Sequence, residues 1–387
     1  MRNLISVSVA ILVPKQRVYG RWRQPHSSSD NGWVRTLRLI IDPNNLLTAA
    51  AEDALNQAAQ ILRGGGLVAL PTETVYGLGA NALNAAAVAS IFAAKQRPAW
   101  DPVIVHISAQ EMLESLVQLA PESVGRTRKL MSAFWPGPLT LLLPRTAAIP
   151  DAVTAGRPLV GVRMPAHPVA LELIRRAGVP VAAPSANIFG RISPTTASHV
   201  LEDLDGRIDA VLDAGPANRG VESTVLDPTQ SPMLIYRPGA ITADQIQAVA
   251  GAVQFFKSAE PLQQTPRESL PSPGVGLRHY APKARLVLLE SPPSDLATRL
   301  LTEAQRFPGE RLGIMLPADI DVKIEGAEIF HWGRWSDAES MAQLLYAGLR
   351  FLDANGCTLI LCPIPPAEGI GAAIRDRLKK AATALGS

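Results

Sequence analysis

Cysteine is almost missing from this chain: Cys357 and Cys362 are the whole supply. Two thiols cannot build a disulfide framework, and no further cysteines stand by to complete a zinc cage. Buried free thiols in a reducing compartment are expected. No apolar run approaches the length of about 18 residues that a membrane span needs. Charge of one sign is not in excess either: 37 Lys and Arg against 34 Asp and Glu leave +3. By itself that is no nucleic-acid footprint, although basic residues can still gather around an anionic ligand. Aromatics make up 5% of the chain, too few to suggest a stacking platform for nucleic acid. The Gly-x-x-x-x-Gly-Lys-Ser/Thr phosphate loop is absent, neither Ser185 nor Ser223 sits in a Gly-x-Ser-x-Gly elbow, and the six histidines have no metalloprotease spacing. Those absences argue against P-loop nucleotide hydrolysis, serine hydrolysis and zinc proteolysis.

What is present is apolar bulk, 47% of 387 residues, enough for two cores, with only 18% charged residues to argue for disorder. Residues 1–36 read as a non-core extension. Leu4 to Val13 after Met1-Arg2 faintly resembles a signal peptide, but it has no small-residue cleavage site and runs into Pro14-Lys15-Gln16-Arg17. A cytoplasmic protein is expected. Residues 37–252 alternate apolar strands with alanine- and leucine-rich helices, the pattern of an α/β domain with a parallel or mixed sheet. Leu46 to Leu62 and Ala85 to Ala94 are expected helices, as are Ala109 to Leu119 and Pro121 to Phe134. Residues 253–284 turn to Pro, Ser, Gln and Gly, including Pro261, Pro266, Pro271, Pro273 and Pro282, and read as a linker. Residues 285–387 form a second, smaller α/β domain.

The first domain is organised around Leu67 to Leu70, a strand that breaks at Pro71 into Thr72-Glu73-Thr74 and a Gly77-x-Gly79. Polar groups at strand ends of an open α/β sheet face the crevice where ligands bind. Three more polar clusters follow strand ends: Arg163, Ser185 to Ser193, and Ser223-Thr224. A phosphate needs cations and hydroxyl or backbone donors converging on it, and Lys95, Arg97, Arg237 and the serines can supply them. Taken singly, each has a plainer reading. Lys95 and Arg97 can be charges facing a helix C-terminus. A lone arginine is usually a solvated surface charge, and His106 inside an apolar strand is a satisfied core histidine. Gly77-x-Gly79 is too short to mark a dinucleotide fold.

Together the clusters resemble the two-domain form of the YrdC-like family. The motifs carrying the resemblance are Pro71-Thr72-Glu73-Thr74-Val75-Tyr76-Gly77-Leu78-Gly79, Lys95-Gln96-Arg97-Pro98, Trp135-Pro136-Gly137-Pro138-Leu139-Thr140, Val162-Arg163-Met164-Pro165, Ala183-Pro184-Ser185-Ala186-Asn187, Gly220-Val221-Glu222-Ser223-Thr224 and Arg237-Pro238-Gly239. In the linker, His279-Tyr280-Ala281-Pro282 matches the longer form. The resemblance implies a twisted mixed-sheet YrdC-like α/β domain with a deep basic site, followed by a Rossmann-like domain. It implies a nucleotidyltransferase reaction in which L-threonine, bicarbonate or CO2 and ATP give L-threonylcarbamoyl-AMP and pyrophosphate. A separate transferase complex would then carry the threonylcarbamoyl group to the adenosine beside a tRNA anticodon.

By the same resemblance, Thr74, His106, Arg163, Ala183 (through its backbone) and Ser223 would hold threonine. Arg97, Asp101, Ser185, Ser193, Arg237 and Tyr280 would hold ATP, and Lys95 and Arg97 are the catalytic candidates that neutralise phosphate charge. Two positions depart from the family pattern. Asp101 stands where Asn is more usual, and an acid there repels phosphate unless Mg2+ or an arginine offsets it. Leu159 replaces a hydroxyl residue, leaving at most a backbone contact. Mg2+ is expected with ATP, although no all-protein carboxylate cage is visible. The linker is expected to fold over the site as a lid, with Gly274 and Gly276 as hinges. The competing readings are an RNA-binding module, whose basic cavity would contact RNA directly, and a carbamoyl transferase of related fold that normally carries zinc-finger and acylphosphatase-like modules.

Overall fold

The computed structural model describes residues 35–119, 121–257, 269–270, 272 and 279–382. Nearly all of the N-terminal extension, and the linker positions Pro261, Pro266, Pro271, Pro273, Gly274 and Gly276, lie outside the described residues. Thr36, at the extension's end, belongs to the fold: it is buried, and its hydroxyl donates to Ile208 O at 2.9 Å. Among the described residues no helix is long and apolar enough to cross a membrane.

The organising strand, Val68–Leu70, lies within an eleven-stranded mixed sheet. From one edge the order is Leu37–Ile40, Ala210–Asp213, Val68–Leu70, Gly77–Asn81, Val181–Ala182, Ile104–His106, Leu159–Arg163, Leu139–Pro144, Thr224–Asp227, Met233–Arg237 and Val253–Phe255. Gly77–Asn81 was not expected as a strand, because Gly-Leu-Gly-Ala lacks the β-branched residues that advertise one. Its glycine has a packing cause: a Cβ on Gly79 would lie 2.9 Å from Leu70 Cδ2 and from Val181 Cγ1. Val253–Phe255, read from composition as the start of the linker, pairs in parallel with Met233–Ile235.

The helices begin and end where local chemistry permits. Ala49–Arg63 starts three residues later than its apolar spacing suggests, because the Thr48 hydroxyl caps it by accepting from Ala51 N, and it stops at Gly64. It buries Leu55 and Leu62 in one cluster with Val169 and Leu173 of the helix Pro168–Ala177. Ala85–Lys95 is capped by Asn84 and terminated by Gln96 in the left-handed region at φ 54°. The expected helix over Ala109 to Leu119 shrinks to Glu111–Glu114, because Val117 leaves to form a bridge with Arg145. Ala243–Ala250 was overlooked, although Thr242 and Gln245 form a reciprocal capping box legible in the sequence.

The C-terminal part is a parallel four-stranded sheet in the order Arg285–Leu289, Leu359–Pro363, Leu312–Leu316, Glu328–His331. Helices Pro293–Ala304, Ala338–Ala354 and Gly371–Ala382 accompany it. Cys357 and Cys362 are free and buried here. The two parts share one core: Val75, Ile192, Val221 and Ala240 pack in the same cluster as Met341, Ala342, Tyr346 and Ile374. Arg350 adds a polar clamp, donating to Ile192 O at 2.6 Å and pairing with Asp203 at 2.9 Å.

At Gly220 the chain of the first part passes against the backbone of the helix Ala338–Ala354. Its φ is +68°, and a Cβ would stand 2.3 Å from Ala342 O and 2.5 Å from Gln343 Cα, backbone atoms that cannot rotate away. Gly220→Ala is therefore expected to lower the unfolding free energy by roughly 2 kcal/mol in urea titration. Unchanged stability would show that the contact yields freely.

Candidate active site

The break after Leu70 builds the floor of the site. The Thr72 hydroxyl donates to Val75 O at 2.6 Å and accepts from Thr74 N, folding Thr72-Glu73-Thr74 into a tight turn. Thr72 Oγ1 and Thr74 Oγ1 are 2.8 Å apart, and since Thr72 has already spent its proton, Thr74 is the donor between them. That leaves Thr74 Oγ1 as acceptor for Arg163 Nη1 at 3.0 Å. Arg163 also donates through Nε to Gly137 O at 3.1 Å and forms an ion pair through Nη2 with Glu73 Oε1 at 2.6 Å. Both members are buried, so the pair neutralises a charge that water cannot reach. Burial would raise the Glu73 carboxyl, but Arg163 outweighs it and holds the group below the usual range.

His106 sits directly opposite Arg163 in the parallel pairing of Ile104–His106 with Leu159–Arg163. Burial first, and the Arg163 charge second, push its imidazole down to about 3, so it is neutral at physiological pH. On the far wall, Arg237 clamps Ser223: Nε and Nη2 donate to Ser223 O at 3.1 and 3.0 Å, and Nη2 reaches Ser223 Oγ at 3.1 Å. Ser223 Oγ also lies 2.8 Å from Thr140 Oγ1.

Arg97 is held by Asp101 O, by Pro102 O and by an ion pair with Asp101 Oδ2 at 2.9 Å. The acid at position 101 thus meets the arginine that its presence demanded. It is fully buried behind the wall, 3.7 Å from His279 Nε2. Lys95 points away from the cavity: its ammonium donates to Ser185 O at 2.5 Å and to Asn187 O, fixing the Pro184 to Asn187 loop. Burial, and then the charge of Arg97, drive Lys95 well below the ordinary lysine range.

One cavity of about 60 Å3 gathers Thr74, Arg97, His106, Arg163, Ala183, Ser185, Ser223, Arg237 and Tyr280 on its walls. Of the residues singled out from the sequence, Lys95, Asp101 and Ser193 do not line it, and Leu159 is also off its walls. Ser193 turns its hydroxyl to Glu222 Oε1 at 2.6 Å. Glu222 and His279 do line the cavity, and neither was assigned a role from sequence. Both lie inside motifs already quoted, so the signal was adjacency to Ser223 and Tyr280. Burial alone would raise Glu222, but Arg377 and Arg237, with bonds from Ser193 and Arg377, hold it down at about 2.

The Sua5/YciO/YrdC family model, described as telomere recombination, matches residues 60–239. The model described as threonylcarbamoyl-AMP synthase, C-terminal domain, matches residues 241–383. A Bacillus subtilis protein named threonylcarbamoyl-AMP synthase is 43% identical over 90% of this chain and 98% of its own length. A Pyrococcus abyssi protein of the same name is 41% identical over 84% of this chain and 92% of its own length. The crystal structure of P. abyssi Sua5 complexed with L-threonine superposes with a TM-score of 0.79 at 38% identity, covering 90% of this chain and 98% of that one.

The depressed His106 pKa fixes the sign of a pH effect. The folded value of about 3 lies below the unbound value of 6.5, so neutral His106 contributes its full stability above pH 6.5 and loses it as pH falls toward 3. His106→Asn is expected to flatten the decline of unfolding free energy between those limits, measured by urea titration at stepped pH. An unchanged slope would mean that the imidazole takes up its proton inside the fold.

Proposed function

The chain belongs to the Sua5/YciO/YrdC family in its two-domain, threonylcarbamoyl-AMP synthase form; it is an enzyme that makes threonylcarbamoyl adenylate for tRNA modification, and we propose that it does so in the cavity just described. The observation that carries the proposal is convergence. Thr74, Arg163 and Ser223 share one small cavity with Arg97, Ser185, Arg237 and Tyr280. An amino acid and a nucleotide bound there would lie side by side.

Arg163, steadied on three sides, presents its remaining surface to the threonine carboxylate, with Thr74 and Ser223 as hydroxyl partners. The P. abyssi protein with L-threonine bound supports threonine as the substrate on this side. Arg97, Ser185, Arg237 and Tyr280 would hold ATP. The threonine amine takes up CO2, or CO2 delivered as bicarbonate, and loses a proton to give a carbamate. A carbamate oxygen then bonds to the α-phosphorus as the α–β phosphoanhydride bond breaks and pyrophosphate leaves. The carbamate is already an anion, so the attacking step needs no strong base. Buried cations facing the phosphates contribute more, because they act in a site of low dielectric. Lys95 serves this site by fixing the Ser185 loop, one wall back from the phosphates.

Magnesium enters as the companion of ATP. Among the described residues no group of three or more His, Cys, Asp or Glu could hold a metal ion. Glu73, Asp101 and Glu222 beside the cavity are each paired with an arginine. These residues do not fit a protein-held metal.

Carbamates and mixed anhydrides decompose in water, so closure matters. A volume of about 60 Å3 is far below the ~300 Å3 or more of an open ligand pocket. Tyr280 and His279 of the linker help to close it. Nearby, Ala281 N donates to Gly190 O at 2.9 Å and Leu270 N to Trp100 O at 3.0 Å, fastening these described linker residues to the first part. The linker as a lid accounts for this, and it must lift to admit ATP. An RNA strand would need its cations on an open surface, whereas Lys95, Arg97, Arg163 and Arg237 are each no more than 9% exposed. The product is then handed to a separate tRNA threonylcarbamoyl transferase.

With labelled bicarbonate, L-threonine and ATP, pyrophosphate release is expected to require all three. Arg163→Ala is expected to raise the KM for threonine by about 100-fold or more while sparing most of the ATP affinity. Equal losses of both would contradict the assignment. Tyr280→Ala is expected to admit water, so that pyrophosphate release outruns recovered adenylate in a parallel chromatographic assay. Matched yields would rule out the lid.

A further inference from the structure

Two side chains of the C-terminal part, Tyr346 and Arg377, reach across to the catalytic half and stop just behind the cavity wall. Both are fully buried. Arg377 Nε donates to Glu222 Oε2 at 2.8 Å, and its Nη1 donates to Pro238 O at 2.8 Å. Glu222 precedes Ser223 and Pro238 follows Arg237, so one guanidinium ties down the immediate chain neighbours of two cavity residues. The Tyr346 hydroxyl lies 2.8 and 3.1 Å from the two Glu222 oxygens, beside the Ser193 hydroxyl at 2.6 Å. Both also hold the linker: the Tyr346 ring stacks on Tyr280 at 5.6 Å and 27°, and the Arg377 guanidinium lies 5.4 Å over the same ring.

We propose that Tyr346 and Arg377 are positioning residues for the nucleotide side of the cavity, setting the place of Arg237 and Tyr280 without touching substrate themselves. The identity of that ligand as ATP rests on the function proposed above. Simple adhesion between the two parts explains the arrangement poorly. A buried ion pair is weak glue, since desolvation offsets its attraction, and well-packed apolar residues would bind the halves as firmly. The neighbouring interface already does this with Met341, Ala342 and Val221. What a guanidinium adds is direction: it fixes a carboxylate, a carbonyl and an aromatic face at once.

The test uses the full chain with Tyr346→Phe, Arg377→Lys and Arg377→Met. ATP and L-threonine affinities are measured separately by calorimetry, alongside the thermal midpoint. Arg377→Met is expected to weaken ATP on the order of 100-fold, the cost of a misplaced binding group, with a clearly smaller loss for L-threonine, whose Ser223 follows Glu222 but whose Arg163 and Thr74 are held independently. Arg377→Lys restores part of the loss by returning the charge. Tyr346→Phe keeps the ring on Tyr280 but removes the hydroxyl, and is expected to weaken ATP several-fold (roughly 1 kcal/mol for one hydrogen bond) with the midpoint lowered by no more than about 4 °C. If Arg377→Met does not fold, Tyr346→Phe decides the matter. ATP affinity unaltered in Tyr346→Phe, or ATP and threonine weakened in equal proportion with the midpoint, would overturn the proposal. A wild-type chain that does not bind ATP would overturn it together with the functional reading. A wild-type chain that binds ATP, responds to these variants as expected and forms no adenylate would overturn only the functional reading.

Discussion

A guanidinium withdrawn from water must be given a counter-charge, and this site is built on that constraint. Arg163 has Glu73, Arg97 has Asp101, and Arg377 has Glu222. Each pair sits at the cavity or just behind it, and each arginine also donates to a backbone carbonyl. The pairing keeps cations charged in a region where desolvation works against them. It also leaves them rigid, because an arginine bonded on several edges has few rotamers left. Sites that meet polyanions need cations already aimed, and these arrive aimed by their carboxylates.

Much of this was legible in the sequence. Strand ends followed by hydroxyls or an arginine marked the walls, and Thr74, Arg163, Ser185, Ser223 and Arg237 do meet. The counter-charges were less visible, because a carboxylate such as Glu73 or Glu222 looks in sequence like any solvated acid. Only a partner far along the chain shows otherwise, and Arg377 lies 155 residues from Glu222. Lys95 illustrates the opposite limit. Its motif marked the right loop, but not that the ammonium would turn inward to two carbonyls. Among the strands, Gly77–Asn81 was hidden because its glycine answers to side chains on Val68–Leu70 and Val181–Ala182, contacts that no local pattern records.

The two parts of the chain divide the work unevenly. The part built on the mixed sheet, with its strand ends and loops, supplies every group proposed to touch substrate except Tyr280, and the linker supplies that one. The parallel four-stranded part contributes through what lies behind: Arg350 on the Ile192 and Ser193 carbonyls, Tyr346 and Arg377 on Glu222. The apolar cluster common to both parts and the close approach at Gly220 keep these reaches short.

Arg377 belongs to the helix Gly371–Ala382, so the ribosome makes it long after the rest of the cavity. Until that helix emerges and docks, Glu222 has no arginine from the C-terminal part to lean on, and the walls it steadies are unfinished. A nascent chain can therefore have made every strand of its mixed sheet while the core shared by both parts still lacks Ile374 and Glu222 still lacks Arg377. The bonds of Arg377 to Glu222 and Pro238 are thus among the last contacts of the described fold that translation permits.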